Sequence, residues 1–117
     1  MKNFFKASAI AISLLVFSNC NPGKKVAGTV IPKSTYAANL SNVIQENCTP
    51  CHIPSKGGFK KNYDNYDNVK TDIDEMIRRI GLLPGERGFM PFKKTAQLPD
   101  TTIAKFKKWR DDGLLEK

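Results

Sequence analysis

The sequence Cys48-Thr49-Pro50-Cys51-His52 most constrains what this chain can fold into, because it places two thiols and an imidazole within one short segment. This spacing is shared by three kinds of site: a zinc site, a thiol–disulfide pair and a site of covalent haem attachment. Each of them ties the local backbone to a bond or ligand of fixed geometry. The rest of the chain therefore has to discriminate between them.

The zinc and thiol interpretations each lack a part. A structural zinc site needs four ligands, but His52 is the only histidine of the chain and no second cysteine pair is present. A redox-active cysteine pair typically lies at a helix N-terminus. Cys48 and Cys51 instead follow a predicted helix, at the end where the helix dipole disfavours a thiolate. A zinc or thiol binding module stays open as the least favoured alternative.

Covalent haem attachment uses all three side chains. Each thiol can add to one haem vinyl group, and the spacing of the two cysteines matches the separation of those groups. His52 then lies beneath the ring, where its imidazole can coordinate the iron. The motif therefore favours one covalent haem c held by Cys48 and Cys51, with His52 as the proximal iron ligand.

Met90 is the favoured ligand for the other face of the iron. The chain has no second histidine, so bis-histidine ligation is excluded. Met76 lies on the apolar face of a predicted helix, where core packing is the ordinary role of methionine. Met90 lies in a loop rich in Gly and Pro, directly before Pro91. If Met90 does not coordinate, the open position suits a ligand-sensing or peroxidatic haem instead.

The N-terminal residues predict export. Lys2 and Lys6 precede an apolar run at 7–17, which is too short for a stable transmembrane helix but typical of the core of a secretory signal. The cysteine that follows, Cys20, resembles the lipobox of bacterial lipoproteins, although Asn19 stands where that family usually has Gly, Ala or Ser. The resemblance implies cleavage before Cys20 and a lipid on its thiol. An ordinary cleaved signal and an uncleaved anchor are the alternatives.

These features divide the chain into a lipoprotein-type signal at 1–19, a tether at 20–33 that contains Pro and Gly, and a domain at 34–117. We therefore expect an exported protein of the periplasm or cell envelope, held to a membrane through a lipid on Cys20. Extended, the tether reaches roughly 40 Å, which lets the domain move clear of the membrane surface.

Three amphipathic helices are predicted in the domain, because apolar residues recur there at helical spacing. The predicted helices cover residues of about 35–47, 65–80 and 100–112. Ser34 or Thr35 is the expected cap of the first and Asp64 that of the second. No segment shows strand alternation. The predicted fold class is all-α, with two long loops between the helices. The residues expected to face inward are Tyr36, Leu40, Val43, Ile44, Tyr66, Val69, Ile73, Met76 or Ile77, Ile80, Ile103, Phe106 and Trp109.

The order of these features resembles the class I cytochrome c family: a helix, CTPCH, a central helix, a loop with Met-Pro and a C-terminal helix that bears KKW. The likeness covers roughly 35–113. It implies a cytochrome c-like fold in which three main helices and long loops wrap around one covalent haem, with Met90 as the distal ligand. Phe92 stands where the related small domains often have a second proline, and Pro99 where they usually have a capping Ser or Thr.

Two contacts are also implied by the resemblance. The first and last helices of the family cross, so Tyr36 or Leu40 is expected near Phe106 or Trp109. In the family a proline carbonyl after the motif orients the histidine, and Pro54 could do this here, although it comes sooner than usual.

The resemblance implies electron transfer and not catalysis, since histidine and methionine together leave the iron no free position. The chain carries a formal net charge of +8. Its basic residues near the motif and near Met90 predict a positive rim that attracts redox partner proteins with an acidic surface. Because the basic residues are dispersed and the chain is expected to be exported, nucleic-acid binding is not favoured. The lysines of the predicted rim are Lys56, Lys60, Lys61, Lys93 and Lys94.

Overall fold

The computed structural model describes residues 30–117, so the predicted signal, Cys20 and most of the predicted tether lie outside the described residues. Residues 31–117 form one compact unit. Within the described part of the chain the regular elements are helical, and the only strand-like pairing is a single parallel bridge between Thr35 and Leu115. The prediction of an all-α fold is therefore confirmed.

Three helical segments occupy the predicted places. The first opens with a π-helical turn, Tyr36–Leu40, which continues directly as the α-helix α1, Ser41–Asn47. Helix α2 covers Tyr66–Ile80 and helix α3 covers Asp100–Asp111. A short 3-10 turn, Pro54–Lys56, lies in the loop between α1 and α2. Helical periodicity thus located each helix to within one residue at either end.

The start of each of the first two helices is fixed by a side chain. Thr35 caps the first, as predicted, because its Oγ1 accepts a backbone N–H of the first turn over 3.3 Å. The prediction of Asp64 as the cap of α2 is wrong. Asn65 is the extended residue directly before the helix, and its side chain accepts from the N–H of Asn68 over 3.0 Å. Asp64 instead accepts from Gln45 on α1 over 2.9 Å.

The apolar face predicted for each helix is the face that packs inward. Burial of apolar surface stabilises the folded state by about 25 cal/mol per Å². It supplies most of the stabilisation of a small domain. Met76 is the buried member of its pair, whereas Ile77 is only partly buried. The buried residues of the helices are Leu40, Val43, Ile44, Val69, Ile73, Met76, Ile80, Ile103, Phe106 and Trp109.

Three aromatic rings join the helices at one end of this core. The rings of Tyr36, Tyr66 and Trp109 lie 5.9 to 6.1 Å apart between centroids. The Tyr66 hydroxyl donates to the Leu114 carbonyl over 2.9 Å, and the Trp109 indole N–H donates to the Leu115 carbonyl over 2.7 Å. The contact of Tyr36 with Trp109 is the packing expected between the first and last helices. The hydrogen bonds of Tyr66 and Trp109 also hold the C-terminal residues against the domain.

Candidate functional site

One cavity of about 600 Å³ brings together residues from both long loops and from α2 and α3. Its volume lies in the range of about 300–1,000 Å³ that is typical of ligand-binding sites. The four residues that the sequence predicts to hold a cofactor all line it: Cys48, Cys51, His52 and Met90. Segments that are far apart in the chain therefore meet at one site.

The segment that bears the two cysteines continues from the C-terminus of α1. The Cys48 N–H donates to the Ile44 carbonyl over 2.8 Å, as in a helix, and the His52 N–H donates to the Cys48 carbonyl over 3.0 Å. Both cysteines are partly buried and form no disulfide. Burial raises the pKa of the Cys48 thiol to about 11, which disfavours the thiolate that a redox-active pair needs.

The imidazole of His52 is held with one nitrogen engaged. Its Nδ1 lies 2.6 Å from the carbonyl oxygen of Lys61. A carbonyl can only accept, so Nδ1 carries the proton and Nε2 of the neutral ring keeps its lone pair. This is the arrangement found around metal-binding histidines, which donate their second ring N–H to a carbonyl or carboxylate.

Pro54, which the resemblance offered as a possible source of this carbonyl, does not supply it. Pro54 begins the short turn Pro54–Lys56, and its carbonyl accepts the N–H of Gly57 over 2.9 Å within that turn. The chain then folds back, and Lys61 brings its carbonyl to the ring from the far side of the loop.

The loop after the motif lies directly on the backbone of the motif. The N–H of Lys60 donates to the Cys51 carbonyl over 3.0 Å, and the N–H of Tyr63 donates to the His52 carbonyl over 2.8 Å. The backbone of this loop approaches the backbone of the motif so closely that a Cβ at Gly58 would fall 2.8 Å from the Cys51 carbonyl oxygen. Glycine is therefore required at position 58 by the close contact of two backbone segments.

Two residues that the sequence did not single out complete the surroundings of His52. The ring of Tyr63 stacks on the imidazole, with centroids 4.6 Å apart and planes at 13°. The Tyr63 hydroxyl donates to Asp72 on α2, and the same carboxylate forms an ion pair with Lys61. Burial opposes ionisation of Asp72, but the hydrogen bonds from Lys61 and Tyr63 outweigh it and lower the pKa of this carboxyl. Burial, together with the bond to Asp72, raises the pKa of Tyr63, so the phenol stays protonated as a donor.

A sequence signal for Asp72 existed. It lies three residues after Val69 and four before Met76, both of which are buried, so helical periodicity places its side chain at the edge of the apolar face of α2. An acid at that edge needs a partner, and the loop before α2 supplies it.

The loop that contains Met90 is tied to the C-terminus of α2. The Met90 N–H donates to the Arg79 carbonyl over 3.2 Å, and the Gln97 amide donates to the Gly81 carbonyl over 2.7 Å. Gly88 allows the turn before Met90, since its φ is +97°. Met90 is partly buried, whereas Met76 is only 4% exposed. Met76 also lines the cavity, from α2. Both methionines therefore reach the site, one from a loop and one from a helix.

The walls of the cavity combine apolar and charged side chains. Apolar residues come from α2, from the loop before α3 and from α3 itself: Met76, Ile80, Leu98 and Phe106. Three of the five lysines predicted at the rim, Lys60, Lys61 and Lys94, line the cavity. Lys60 and Lys94 are exposed and form no ion pair within residues 30–117, so they leave a positive field at the opening.

The described part of the chain contains neither a cluster of the usual metal-binding side chains nor a helix that could span a membrane. Among residues 30–117, no three His, Cys, Asp or Glu side chains come together as a group that could hold a metal ion. No helix in the same range has both the length and the apolar character that a membrane span requires.

No family model, curated protein or solved structure matches the chain.

Proposed function

We propose that this chain is a c-type cytochrome of the cell envelope that transfers electrons through one covalently bound haem. The observation that carries the proposal is the meeting of Cys48, Cys51, His52 and Met90 in one cavity of about 600 Å³. A cytochrome c-like fold, in which the helices and loops surround the haem, is part of the same proposal.

The residues of the cavity fit such a group. Cys48 and Cys51 carry free thiols and both line the space that the ring would fill. His52 has its Nδ1–H bound to a carbonyl, so Nε2 is the nitrogen available to iron. The apolar walls suit the faces of a porphyrin, and the exposed lysines suit its anionic edge.

Electron transfer is favoured over catalysis by the ligands that the chain offers. A bound haem supplies an iron that takes up and releases one electron. His52 is held through the Lys61 carbonyl and Met90 through the backbone of Arg79. Two ligands anchored in this way would keep the same geometry in both oxidation states, and together they would leave no position for oxygen or peroxide. Methionine as a ligand also raises the reduction potential.

The charges at the opening suggest the kind of partner. Lys60 and Lys94 lie exposed at the rim of the cavity, where they would attract a redox protein with an acidic surface and speed its encounter. A lipid on Cys20, followed by the tether, would keep the domain close to a membrane while it meets such partners.

A haem stain tests the proposal most directly. The full chain is co-expressed with the machinery that attaches haem, and the purified protein is run on a denaturing gel and stained for haem peroxidase activity. We expect a stained band at the mass of the chain, because a thioether-linked haem survives denaturation. A purified protein with no stain and no haem absorption contradicts the proposal.

Two variants provide the controls. The double variant Cys48→Ala/Cys51→Ala is expected to lose the stain, while Cys20→Ser keeps it and loses the lipid, as read by mass spectrometry. A stain that persists without Cys48 and Cys51 would show that the haem is attached elsewhere.

A further inference from the structure

A closed ring of contacts surrounds the imidazole of His52. Tyr63 covers one face of the imidazole, with the two ring centroids 4.6 Å apart. The Tyr63 hydroxyl donates to one oxygen of Asp72, and the Nζ of Lys61 pairs with the other. The carbonyl of the same Lys61 accepts the Nδ1–H of His52 over 2.6 Å. One carboxylate on α2 is thus bonded to Tyr63 and to Lys61, and each of these residues also contacts the imidazole.

We propose that Asp72 is a positioning residue for His52. Acting through Tyr63 and Lys61, it fixes the rotation of the imidazole and thereby the direction in which Nε2 points. The inference rests on the proposed function in one respect, because Nε2 is the atom that would bind the iron.

The stiffness of α2 explains why the carboxylate matters. Tyr63 and Lys61 lie on a loop, whereas Asp72 lies in the middle of a 15-residue helix. That helix is anchored in the core by Val69 and Ile73, which are 0% and 4% exposed. A loop held only by its own backbone bonds can shift locally, but a loop bonded to a packed helix moves only if the helix moves.

Burial makes the contacts around Asp72 depend on one another. The Asp72 side chain is 12% exposed, against 59% for Lys61, and Tyr63 is 7% exposed. A hydroxyl on a buried ring that loses its acceptor is left without a protein partner, and a partly buried carboxylate is stabilised by its donors. Removing either partner of the Tyr63–Asp72 hydrogen bond therefore allows the Tyr63 ring to shift. The imidazole of His52, which stacks on that ring, is then expected to shift with it.

Two small substitutions break this ring of contacts and leave His52 untouched. Tyr63→Phe removes one oxygen and keeps the stacked ring, while Asp72→Asn keeps the shape and removes the charge. The chain offers a matched control for each. Tyr66→Phe removes a hydroxyl that bonds the Leu114 carbonyl, and Asp112→Asn removes a carboxylate paired with a lysine. Neither Tyr66 nor Asp112 lines the cavity.

The single histidine of the chain makes the first measurement unambiguous. The exchange of its Nδ1–H with solvent is followed by nitrogen–proton NMR on the reduced, haem-loaded protein. We expect slow exchange in the wild type and exchange faster by roughly tenfold or more in Tyr63→Phe and Asp72→Asn. Tyr66→Phe and Asp112→Asn keep the slow exchange.

A second measurement reads the orientation of the ring itself. The paramagnetic shifts of the haem methyl protons in the oxidised protein depend on the plane of the axial imidazole. We expect Tyr63→Phe and Asp72→Asn to redistribute these shifts, and Asp72→Asn also to raise the reduction potential, since a lost negative charge no longer favours the ferric iron. The two control variants leave both quantities at their wild-type values.

Each outcome decides the proposal. Wild-type exchange and wild-type methyl shifts in both variants overturn it, and so do equal changes in the two controls, which would indicate a general loosening of the domain. If Asp72→Asn does not fold, Tyr63→Phe decides alone. If the purified chain carries no haem, the proposed function fails, while Nδ1–H exchange on that same purified chain still tests the positioning.

Discussion

The Cα of Gly58 lies so close to the backbone of Cys51 that a Cβ at position 58 would fall 2.8 Å from the Cys51 carbonyl oxygen, and closer still to that of Pro50. The obstacles are backbone atoms, which cannot rotate away as a side chain can. We therefore expect Gly58→Ala to push the loop off the motif and to destabilise the domain by roughly 1–3 kcal/mol. Urea unfolding followed by circular dichroism measures this change.

Gly57→Ala separates this contact from an effect of backbone conformation. Gly57 has a φ of +84° but no heavy atom within 4 Å of an added Cβ. Its substitution is expected to cost about 1–2 kcal/mol from the left-handed conformation alone and to leave the haem spectrum unchanged. Gly58→Ala, by contrast, should also alter the spectrum, because it displaces Cys51 and His52. A Gly58→Ala protein with wild-type stability and spectrum would show that the loop does not press on the motif.

The two methionines of the cavity give opposite expectations for the distal ligand. Methionine bound to ferric haem produces a weak charge-transfer band in the near-red spectrum. We expect Met90→Leu to abolish this band and Met76→Leu to retain it. Both exchanges nearly conserve volume, so each should cost less than about 1.5 kcal/mol of stability. A band that survives in Met90→Leu and disappears in Met76→Leu would assign the distal ligand to α2. A wild type without the band favours an open sixth position.

Helical periodicity and the positions of Gly and Pro predicted the helices and their inward faces, because helix bounds and helix faces depend on local spacing. Val69, Ile73 and Met76 repeat at helical intervals, and burial of one face follows from that repeat. The gathering of Met90 with His52 was predicted only through the haem hypothesis and the family resemblance, which both call for a second iron ligand, since nothing local to either segment indicates the other.

The partner of the His52 Nδ1–H could not be predicted from spacing. It depends on how a loop rich in glycine folds back, and the pattern gives no period for such a loop. Lys61 was interpreted only as a surface charge, yet its backbone carbonyl makes the bond to the imidazole. A backbone acceptor has no signature in the identity of its side chain.

The acid sensitivity of the domain should depend in part on Glu75. Hydrogen bonds from Arg78 and Arg79 lower the pKa of Glu75 from 4.5 to about 2. The folded protein therefore holds this carboxylate ionised at a pH where the unfolded chain has begun to protonate it. The contribution to stability is fully present above about pH 4.5 and is lost as the pH falls towards 2.

Glu75→Gln tests this contribution. We expect it to lower the urea midpoint slightly at neutral pH, because the ion pairs are exposed, and to equal the wild type near the acid end of the window. Glu46→Gln is the control, since Glu46 is exposed and forms no ion pair within residues 30–117. A difference between wild type and Glu75→Gln that stays constant with pH would argue against the pKa shift as its source.

The positive rim can be tested without knowing the natural partner. If the proposed haem is bound, we expect the reduced protein to give one electron to ferricyanide, a trivalent anion, at a rate that is measured by stopped flow. We expect Lys60→Glu and Lys94→Glu each to slow this reaction by roughly 3- to 10-fold at low salt, because both lysines lie exposed at the cavity. The difference should shrink as salt is added, since the screening length falls to about 3 Å at 1 M.

Lys105→Glu makes the same change in net charge on α3, away from this cavity, and should slow the reaction much less. With a cationic cobalt oxidant the order reverses, so that the two rim variants react faster than the wild type. Equal slowing by all three variants would mean that net charge alone governs the encounter and that electrons do not leave through this opening.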